Sequence, residues 1–311
     1  MNLNFIKNKT VLLIGDPILD LYVYGTALGK SLETPTIVAK KDKTQTNFGG
    51  AALVVRNILE LGSKVKYIGV VGSDENSKYY KNLKHSNLEK YIITDNSRKT
   101  TAKTRFWIDG YKLLQIDDLD NRDIDNKIEN KIIDEFQIQI KNSDIVVISD
   151  YRHGLLTKKI ISSIIDISKN NKKKVLVDSQ ISHRESNHYL YQGTHMIFLS
   201  ESEAKCIYPE FDVNDEGFHG IMNYFKGSIL CIKTGKRGSI YLNDNDVIRT
   251  PAINVNVVDT CGAGDAFLGA CAVSDLTEPH ISMKFANIWA GLSTTIHGTK
   301  PPNFNALEEH L

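Results

Sequence analysis

The sequence has 311 residues, of which 41% are hydrophobic and 24% are charged, values typical of a folded protein with a substantial core. Its 38 lysines and arginines nearly balance its 37 aspartates and glutamates, so the formal net charge of +1 predicts no nucleic-acid partner. No apolar run is long enough for a signal segment or a membrane span, which predicts a cytoplasmic protein with no membrane partner.

Short apolar runs that are typical of buried strands alternate along the chain with segments of helical periodicity. The strand-like runs are residues 11–16, 65–72, 145–150, 174–178, 195–200 and 229–235, and the helical segments are residues 49–63, 126–142 and 157–171. In the second helical segment, Ile128, Ile132, Phe136 and Ile140 form one apolar stripe. The alternation predicts an α/β fold, a doubly wound and mostly parallel sheet with helices on both faces, in which ligands bind beyond the carboxyl ends of the strands.

Two further stretches interrupt this alternation, because they are strand-like but have no helix between them. They are residues 34–48 and 103–118, and the second contains Asp109-Gly110, a pair favoured in hairpin turns. We expect them to form a small β-sheet lid inserted into a single domain of residues 1–311, closing over the ligand end of the sheet. Exposed sheet edges in such a lid can pair between subunits, so a homodimer through the β lid is also predicted.

The segment GTALGKS, residues 25–31, is superficially similar to a phosphate-binding loop. Only three residues separate its two glycines, however, whereas the Walker pattern has four, and no strand leads directly into it. The segment is therefore predicted to be an ordinary loop.

The stretch DTCGAGDAF lies between a strand-like run that ends at Asp259 and an apolar run of helical period. Because glycines allow backbone N–H groups to converge and a helix start carries partial positive charge, Gly262, Ala263 and Gly264 are predicted to form an anion hole. Asp265 falls in the first helical turn. Its carboxylate could cap the helix, or it could accept the proton of a substrate hydroxyl during phosphoryl transfer, and the spacing alone leaves both alternatives open.

The pattern D-T-x-G-A-G-D-x-F resembles the signature of the ribokinase/PfkB family of carbohydrate kinases. The resemblance implies that Asp265 is the catalytic base and that the amides of Gly262, Ala263 and Gly264 hold the γ-phosphate of ATP. It covers nearly the whole chain and implies a ribokinase-like fold, a β-sheet lid, and dependence on ATP and Mg²⁺.

Two N-terminal motifs resemble the sugar-binding side of this family. The segments GDPILD and GGAALVVRNILELG imply that Asp20, Gly49, Gly50 and Asn57 contact the acceptor sugar. The family has an asparagine that bonds sugar hydroxyls where this chain has Leu53, so one polar contact is missing.

Two C-terminal motifs resemble the nucleotide-binding side of the family. The segments KTGKRG and ANIWAGLSTTIHGT imply that the nucleotide is bound by Lys233, Thr234, Gly235, Gly238 and Asn287. These residues come from widely separated parts of the chain, so the resemblance also implies that the fold brings them together.

The resemblance also implies two sites for metal ions. The segment FLSE is similar to the family's N-x-x-E motif, with Phe198 in place of Asn, and Glu201 is expected to orient Mg²⁺-bound water. Asp259 and the carbonyls near residues 296–298 correspond to positions where relatives bind a monovalent cation, which makes K⁺ a candidate activator.

Within the family, the similarity is greatest to bacterial heptose 7-phosphate kinases of the HldE type. It rests on SLETPTIV, ISDYRHGLL, KTRFW and LLQIDD, and it implies a phosphorylated sugar as acceptor. Lys103 and Arg105, or Arg152 and His153, are candidates for holding its phosphate, and Asp150 is a further candidate for binding the substrate.

Three hypotheses about function follow from the matches and the departures. The first is an ATP-dependent kinase of a small sugar or sugar phosphate. The second is a kinase of a non-phosphorylated sugar or a nucleoside, which is suggested by Leu53 and by Gln180, since Gln180 stands where the heptose kinases have a lysine. The third is a catalytically weakened sugar or nucleotide sensor, suggested by Leu53 and Phe198 together.

Overall fold

A computed structural model describes residues 6, 8–181 and 186–310 of the chain. Part of the N-terminal stretch in which we predict no signal segment lies outside these residues. Within the described residues, the chain forms thirteen β-strands and nine α-helices. The strands are β1 (Thr10–Gly15), β2 (Pro17–Lys30), β3 (Ile37–Gly50), β4 (Lys64–Val71), β5 (Leu88–Thr94), β6 (Ala102–Ile108), β7 (Tyr111–Asp118), β8 (Ile145–Asp150), β9 (Lys174–Ser179), β10 (Met196–Ser200), β11 (Ile229–Lys233), β12 (Ser239–Leu242) and β13 (Val247–Thr250). The helices are α1 (Ala51–Glu60), α2 (Ser77–Asn82), α3 (Asn126–Gln139), α4 (Lys158–Asn170), α5 (Glu201–Ile207), α6 (Asp215–Tyr224), α7 (Ala263–Val273), α8 (Pro279–Ser293) and α9 (Asn305–Glu308).

A nine-stranded sheet in the order β13-β12-β11-β10-β9-β8-β1-β4-β5 forms the centre of the molecule. The seven strands from β5 to β11 in this order run parallel, and β12 and β13 add antiparallel pairs at one edge. All six predicted strand-like runs are strands of this sheet, which confirms the predicted fold class. The strand-like run before Asp259 is a wrong prediction, because residues 251–260 contain no regular secondary structure.

Helices cover both faces of the large sheet and bury two separate apolar cores. One core contains residues of α1, α7 and α8, and the other contains residues of α3, α4 and α6. The predicted stripe is confirmed, because Ile128, Ile132, Phe136 and Ile140 are all buried in the second core. Side chains of each central strand alternate between the two cores, as a parallel sheet covered on both faces requires.

Polar side chains at the helix starts determine where several helices begin. The Asp125 carboxylate accepts the Ile128 N–H at the start of α3, and the Thr157 hydroxyl accepts the Ile160 N–H at the start of α4. At α5, Ser200 forms a reciprocal capping box with the third helical residue. Each of these bonds satisfies an N–H group that has no partner within its own helix.

A second sheet, in the order β3-β2-β6-β7, contains the two stretches that were predicted as lid strands. It also contains β2, and here the prediction of a loop at residues 25–31 is wrong, because Gly25 to Lys30 belong to that strand. The pairing of β2 with β3 is irregular at Gly25 and Gly29, which accounts for glycines inside a strand. Only Asp16 separates β1 from β2, so the chain passes directly from the large sheet into the small one.

None of the helices in the described part of the chain has both the length and the apolar character needed to span a lipid bilayer.

Candidate active site

A cleft of about 870 Å³ lies beyond the carboxyl ends of the central strands, and residues of both sheets line it. This volume suits a small-molecule site, and its position is the one expected for ligands of an open α/β sheet. The predicted site residues that line it are Asp20, Gly50, Lys103, Arg105, Lys233, Gly235, Gly238, Gly262, Ala263, Gly264, Asp265 and Asn287. The fold thus brings together residues that are as much as 267 positions apart in the chain (287 − 20).

The cleft continues the face of the large sheet that α7 covers. On β9, Leu176 belongs to the core on the α7 side, and Asp178, two residues later, lines the cleft. On β11, Cys231 belongs to the same core, and Lys233 lines the cleft. Because strand side chains alternate, the residue two positions after the last core residue on this face reaches the ligand side.

At the end of β8 and in the turn that follows it, every second residue reaches the cleft. Ser149, Tyr151 and His153 line it, whereas the intervening Asp150 and Arg152 do not. Sequence reasoning singled out Asp150 and Arg152 and gave Tyr151 no role. The signal that identifies Tyr151 is its spacing of two from Ser149, and it becomes informative only once the face covered by α7 is known.

Asp150 and Arg152 instead hold a loop together on the other side of β8. The Asp150 carboxylate accepts hydrogen bonds from Ser179 at 2.9 Å, Asn187 at 3.1 Å and Tyr191 at 2.8 Å. The Arg152 guanidinium donates to the Asn187 amide oxygen at 2.9 Å. Because the Asp150 carboxylate is buried and already accepts several hydrogen bonds, these contacts support a structural role for both residues in place of the predicted acceptor binding.

The start of α7 requires Gly262 and has an apolar support. Gly262 has φ +86°, and a side chain there would collide with Leu53, so this position needs a glycine. The Phe198 ring packs against Phe267 at 6.1 Å between ring centroids. Leu53 and Phe198, the two apolar residues at positions where the family has asparagine, are both buried and do not line the cleft.

Asp265 is the third residue of α7, and its carboxylate faces the cleft. Gly262 is the N-cap and no side chain caps this helix, so the structure does not support the capping alternative. The Tyr151 hydroxyl donates to Asp265 Oδ1 at 2.7 Å. Burial raises the pKa of Asp265 to about 7, although the Tyr151 hydrogen bond opposes this shift. A carboxylate with a pKa near neutrality is suited to accept a proton from a substrate.

A half-buried ion pair lies beside the start of α7. Lys233 Nζ is 2.6 Å from Asp178 Oδ2, and a methyl group on Gly264 would lie 3.4 Å from Lys233 Nζ and 3.9 Å from Asp178 Oδ2. Burial lowers the pKa of Lys233, but Asp178 outweighs this effect and raises it to about 12. A permanently charged ammonium therefore adjoins the predicted anion hole. Sequence reasoning gave Asp178 no role, although it is the last residue of a strand-like run at the ligand end of the sheet.

Asp20 lies where the small sheet meets the start of α1. Its Oδ1 is 2.5 Å from Arg105 Nη1, and its Oδ2 accepts the Thr299 hydroxyl at 2.9 Å. A side chain at Gly49 would collide with the Asp20 carboxylate, so this glycine allows Asp20 to approach the backbone, while Gly49 itself does not line the cleft. Of this part of the predicted acceptor side, Asp20 and Gly50 line the cleft although both are largely buried.

The cationic side chains on the lid side of the cleft already have carboxylate partners. Lys103 pairs with Asp117 at 2.8 Å, and Arg105 pairs with Asp20. His153 Nδ1 is buried and has no hydrogen-bond partner among the described residues, and burial together with Lys103 lowers the pKa of His153 to about 4. A ligand phosphate at this end would therefore meet two cations that are partly neutralised and one uncharged imidazole.

Asn57 does not reach the cleft. Its side chain is buried, where Nδ2 donates to the Leu53 carbonyl at 2.8 Å and Oδ1 accepts the Trp289 indole N–H at 2.8 Å. These bonds, one within α1 and one that joins α1 to Trp289 of α8, use both polar atoms of the side chain and support a structural role in place of the predicted contact with the acceptor.

The predicted nucleotide-side residues divide into those that line the cleft and one that shapes a turn. The Thr234 hydroxyl donates to the Gly238 carbonyl at 2.9 Å, so Thr234 closes the turn after β11 and does not line the cleft. Asn287 lines the cleft and donates to the Ser239 hydroxyl at 2.7 Å. The neighbouring wall is apolar, as suits the face of a base, and contains Ile253, Val255 and Ala290.

The predicted magnesium residue Glu201 lies outside the cleft, where it forms an ion pair with Arg237. Glu203, two residues later in α5, lines the cleft, and its Oε2 accepts the Ser200 N–H at 2.6 Å. Among the described residues there is no group of three or more His, Cys, Asp or Glu side chains that could hold a metal. This arrangement fits Mg²⁺ that is bound mainly by substrate phosphates and water with one or two carboxylates, which is its usual mode.

Asp259, the residue predicted at the monovalent-cation position, lies beside the loop after α8 and does not line the cleft. Its Oδ1 accepts the Cys261 N–H at 3.0 Å, and its Oδ2 accepts the Gly298 N–H at 3.1 Å. The carboxylate thus joins the start of the DTCGAGDAF stretch to the segment that supplies the predicted carbonyls.

The sequence profile of the pfkB family carbohydrate kinases matches residues 8–305 of the chain. The bifunctional protein HldE of Bradyrhizobium diazoefficiens is 30% identical over 307 residues, an alignment that covers 94% of this chain and 61% of the relative. The chain therefore spans less than two thirds of that relative's length.

Solved structures with the same fold include two sugar kinases. Arabidopsis thaliana ribokinase complexed with ribose and ATP aligns with a TM-score of 0.72 and 19% identity, covering 96% of this chain and 98% of that one. Phosphofructokinase-2 from Escherichia coli in complex with potassium aligns with a TM-score of 0.77 and 16% identity, covering 97% of both chains. At these identities the similarity establishes the fold.

The structural role of Asn57 gives a testable prediction. In Asn57→Ala, the buried Trp289 N–H loses its acceptor, so we expect the free energy of unfolding to fall by about 1–3 kcal/mol while the KM for the acceptor stays unchanged. Urea unfolding and steady-state kinetics measure the two quantities. Asn130→Ala, at an exposed position in α3, should change neither. A raised acceptor KM with unchanged stability would instead assign Asn57 to substrate binding.

Proposed function

The chain belongs to the pfkB family of carbohydrate kinases and is an ATP-dependent sugar kinase, and from this premise we propose how its cleft performs the reaction. We propose that it phosphorylates a hydroxyl of a small sugar or sugar phosphate, with Asp265 as the catalytic base. The observation that carries this assignment is the position of Asp265, a buried carboxylate that faces the cleft three residues after the glycine at the start of α7.

In the proposed reaction, Asp265 takes the proton of the acceptor hydroxyl. The hydroxyl oxygen forms a bond to the γ-phosphorus of ATP while the bond from that phosphorus to the β,γ-bridging oxygen breaks, and ADP leaves. Because proton transfer and attack occur at the same oxygen, the base has to lie next to the phosphoryl acceptor. The adjacency of Asp265 to Gly262 and Gly264 supports this requirement.

The groups around the start of α7 suit the negative charge of a transferring phosphoryl group. The N–H groups of the first helical turn have no partners within the helix, and Gly262, Ala263 and Gly264 line the cleft there. The Lys233 ammonium, which is paired with Asp178, adds positive charge next to Gly264. Bound Mg²⁺ would further neutralise the phosphate oxygens, and Glu203, which faces the cleft, is better placed than Glu201 to orient its water ligands.

For the acceptor, we propose a sugar phosphate of the heptose 7-phosphate class. The supporting observations are the similarity to proteins named HldE and the presence of Lys103 and Arg105 on the lid side of the cleft. Asp20 is the carboxylate best placed to accept hydrogen bonds from sugar hydroxyls. The anionic end of the acceptor would then compete with Asp117 and Asp20 for the two cations.

A second candidate is a non-phosphorylated sugar or a nucleoside. It is favoured by the same ion pairs, because Lys103 and Arg105 have carboxylate partners without any ligand phosphate. Gln180, which lines the cleft where the heptose kinases have a lysine, also favours an uncharged acceptor. A weakened sensor stays the third alternative: Leu53 and Phe198 are buried and do not line the cleft, and neither supplies the polar group that the family has at its position.

Two further parts of the proposal concern the cation and the cellular location. We propose that a monovalent cation such as K⁺ binds next to Asp259, which is supported by the contact between its carboxylate and Gly298 and by the potassium complex of Escherichia coli phosphofructokinase-2. Because the phosphoryl donor is ATP, we expect the chain to act in the cytoplasm, as its sequence predicted.

We also propose that the chain forms one kinase domain whose small sheet joins two copies into a homodimer. The first eight residues of β3, Ile37 to Thr44, are exposed, as are all eight residues of β7, an edge strand of the small sheet. Exposed apolar side chains lie on three of the four strands of the small sheet, β2, β3 and β7. They are Leu28, Ile37, Val38, Tyr111, Leu113, Leu114 and Ile116. A projecting apolar sheet with free edges is stable when a second sheet covers it, and a second copy offers an identical one.

The base assignment predicts opposite effects of Asp265→Asn on activity and on stability. We expect turnover to fall by at least about 100-fold with ATP binding retained, because the amide cannot accept the proton. Since the folded state raises the pKa of Asp265 to about 7, ionisation of this carboxyl destabilises the fold as pH rises above its ordinary value near 4. Asp265→Asn should therefore raise Tm at pH 8, with a smaller increase at pH 4.

Thermal melts and ADP-release assays measure these two effects, and Asp244→Asn, in the exposed turn between β12 and β13, is the control that should alter neither. Turnover close to that of the wild type in Asp265→Asn would refute the base assignment.

The choice of acceptor is tested by a panel of sugars, sugar phosphates and nucleosides, with ADP release as the readout. We expect sugar phosphates to give the highest kcat/KM, and Lys103→Gln to lower that value about 10-fold or more for them because a charge-assisted contact is lost. Its effect on non-phosphorylated sugars should be small. Equal effects on both classes would favour the second candidate, and thermal stabilisation by a ligand without ADP release would favour the sensor.

The dimer is tested by measuring the mass of the chain in solution by light scattering. We expect a dimer for the wild type and a monomer for Leu114→Asp, because a charge would enter the apolar contact. Ile138→Asp is a matched control, since Ile138 on α3 is 58% exposed and Leu114 is 53% exposed. A monomeric wild type, or dissociation by the control alone, would contradict the proposed interface.

A further inference from the structure

The loop after β8 carries a tyrosine that bonds directly to the proposed base. The Tyr151 hydroxyl donates to Asp265 Oδ1 at 2.7 Å, and both residues line the cleft. The two residues are 114 positions apart, so the contact is created by the fold. Burial and the neighbouring Asp265 keep the pKa of Tyr151 well above its ordinary value, so its hydroxyl keeps its proton and remains a donor at neutral pH.

The backbone of this tyrosine is fixed by a buried carboxylate. Asp16, the residue between β1 and β2, accepts the Tyr151 N–H at 2.9 Å and the His153 N–H at 3.4 Å through one oxygen, Oδ2. Arg152, between them, has φ +63°, a value that non-glycine residues rarely adopt and that turns the chain sharply. Arg98 holds the same turn from outside by donating to the His153 carbonyl at 3.1 Å. The ring of Tyr151 is thus presented to Asp265 by a constrained turn.

Charged groups from several elements face Asp265. Asp178 on β9 and Asp20 on β2 disfavour its ionised form, whereas Lys233 on β11 favours it, and the un-ionised thiol of Cys261 lies nearby. These groups act on the carboxylate through charge, but Tyr151 donates a hydrogen bond to one particular oxygen. It therefore acts on the orientation of the carboxylate as well as on its charge.

We propose that Tyr151 is a positioning residue for the base: its hydroxyl holds Oδ1, fixes the rotation of the Asp265 carboxylate, and leaves Oδ2 free to receive the acceptor's proton. The proposal rests on the assignment of Asp265 as base made above. In the proton transfer, the hydroxyl proton of the acceptor moves to Oδ2, while Tyr151 keeps its own proton and its bond to Oδ1. The ionised carboxylate, which is the reactive form, gains most from this donor because a hydrogen bond to a charged acceptor is stronger than one to a neutral acceptor.

The test is the pH dependence of kcat/KM in Tyr151→Phe. Loss of the donor makes the carboxylate harder to ionise, so we expect the midpoint of the acid limb to move upward by about one pH unit. Activity should then be about fivefold lower than in the wild type at pH 7 and should approach the wild-type value at pH 9, with the KM for ATP unchanged. The matched control is Tyr191→Phe, because the Tyr191 hydroxyl also donates to a buried carboxylate, Asp150, at 2.8 Å but does not line the cleft. This control should lower stability and leave the pH profile unchanged.

A second substitution keeps the hydroxyl and changes only its donor strength. Site-specific incorporation of 3-fluorotyrosine at position 151 makes the phenol a stronger donor, so we expect the acid limb to move downward, opposite to its shift in Tyr151→Phe. This variant also provides the test if Tyr151→Phe does not fold.

An acid limb that stays in place in both variants would overturn the proposal, and so would a pH-independent loss that appears as a raised KM for the acceptor, since that pattern indicates direct substrate contact. Asp265→Asn separates this outcome from failure of the base assignment. If Asp265→Asn stays active, the base assignment fails, whereas an inactive Asp265→Asn with unshifted profiles refutes only the role of Tyr151.

Discussion

The strict alternation of side chains along the parallel strands is the constraint on which the candidate site depends. The face of the sheet that α7 covers is apolar up to Leu176 and Cys231, and it becomes polar two residues later at Asp178 and Lys233. The start of α7 then lies directly against these two side chains. Along each of these two strands, the ionic residue in the cleft is the next residue on the same face after the core residues. The same alternation of side chains therefore places both the core and the site.

Much of the fold and the central motif could be predicted from the sequence because their signals are local. Apolar runs of strand length alternate with helical stripes, and these runs identified six of the nine described strands of the large sheet. The stretch that contains Gly262 and Asp265 carries its own turn and helix start, so its chemistry could be read without knowledge of the rest of the chain. The motifs around Lys233 and Asn287 were similarly recognised, since each lies in one contiguous segment.

The departures at the candidate site share a physical origin, because each concerns which way a side chain points. The central strands are apolar on both faces, so their pattern does not reveal which face α7 covers, and Asp150 could not be told from Tyr151. Asn57 looked polar and available, but its partner Trp289 is 232 positions away. Glu201 and Glu203 differ only in their position around one helix. The loop predicted at residues 25–31 is a strand because its pairing with β3 overrides the local preference of its glycines.

The single residue between β1 and β2 has two structural roles. The chain crosses from the large sheet to the small sheet at Asp16, and the carboxylate of this same residue holds the turn that carries Tyr151. Asp16 is therefore both the covalent link between the two sheets and the hydrogen-bond acceptor that fixes the turn beside Asp265. A substitution at this one position would reach the junction of the sheets and the orientation of Tyr151 together.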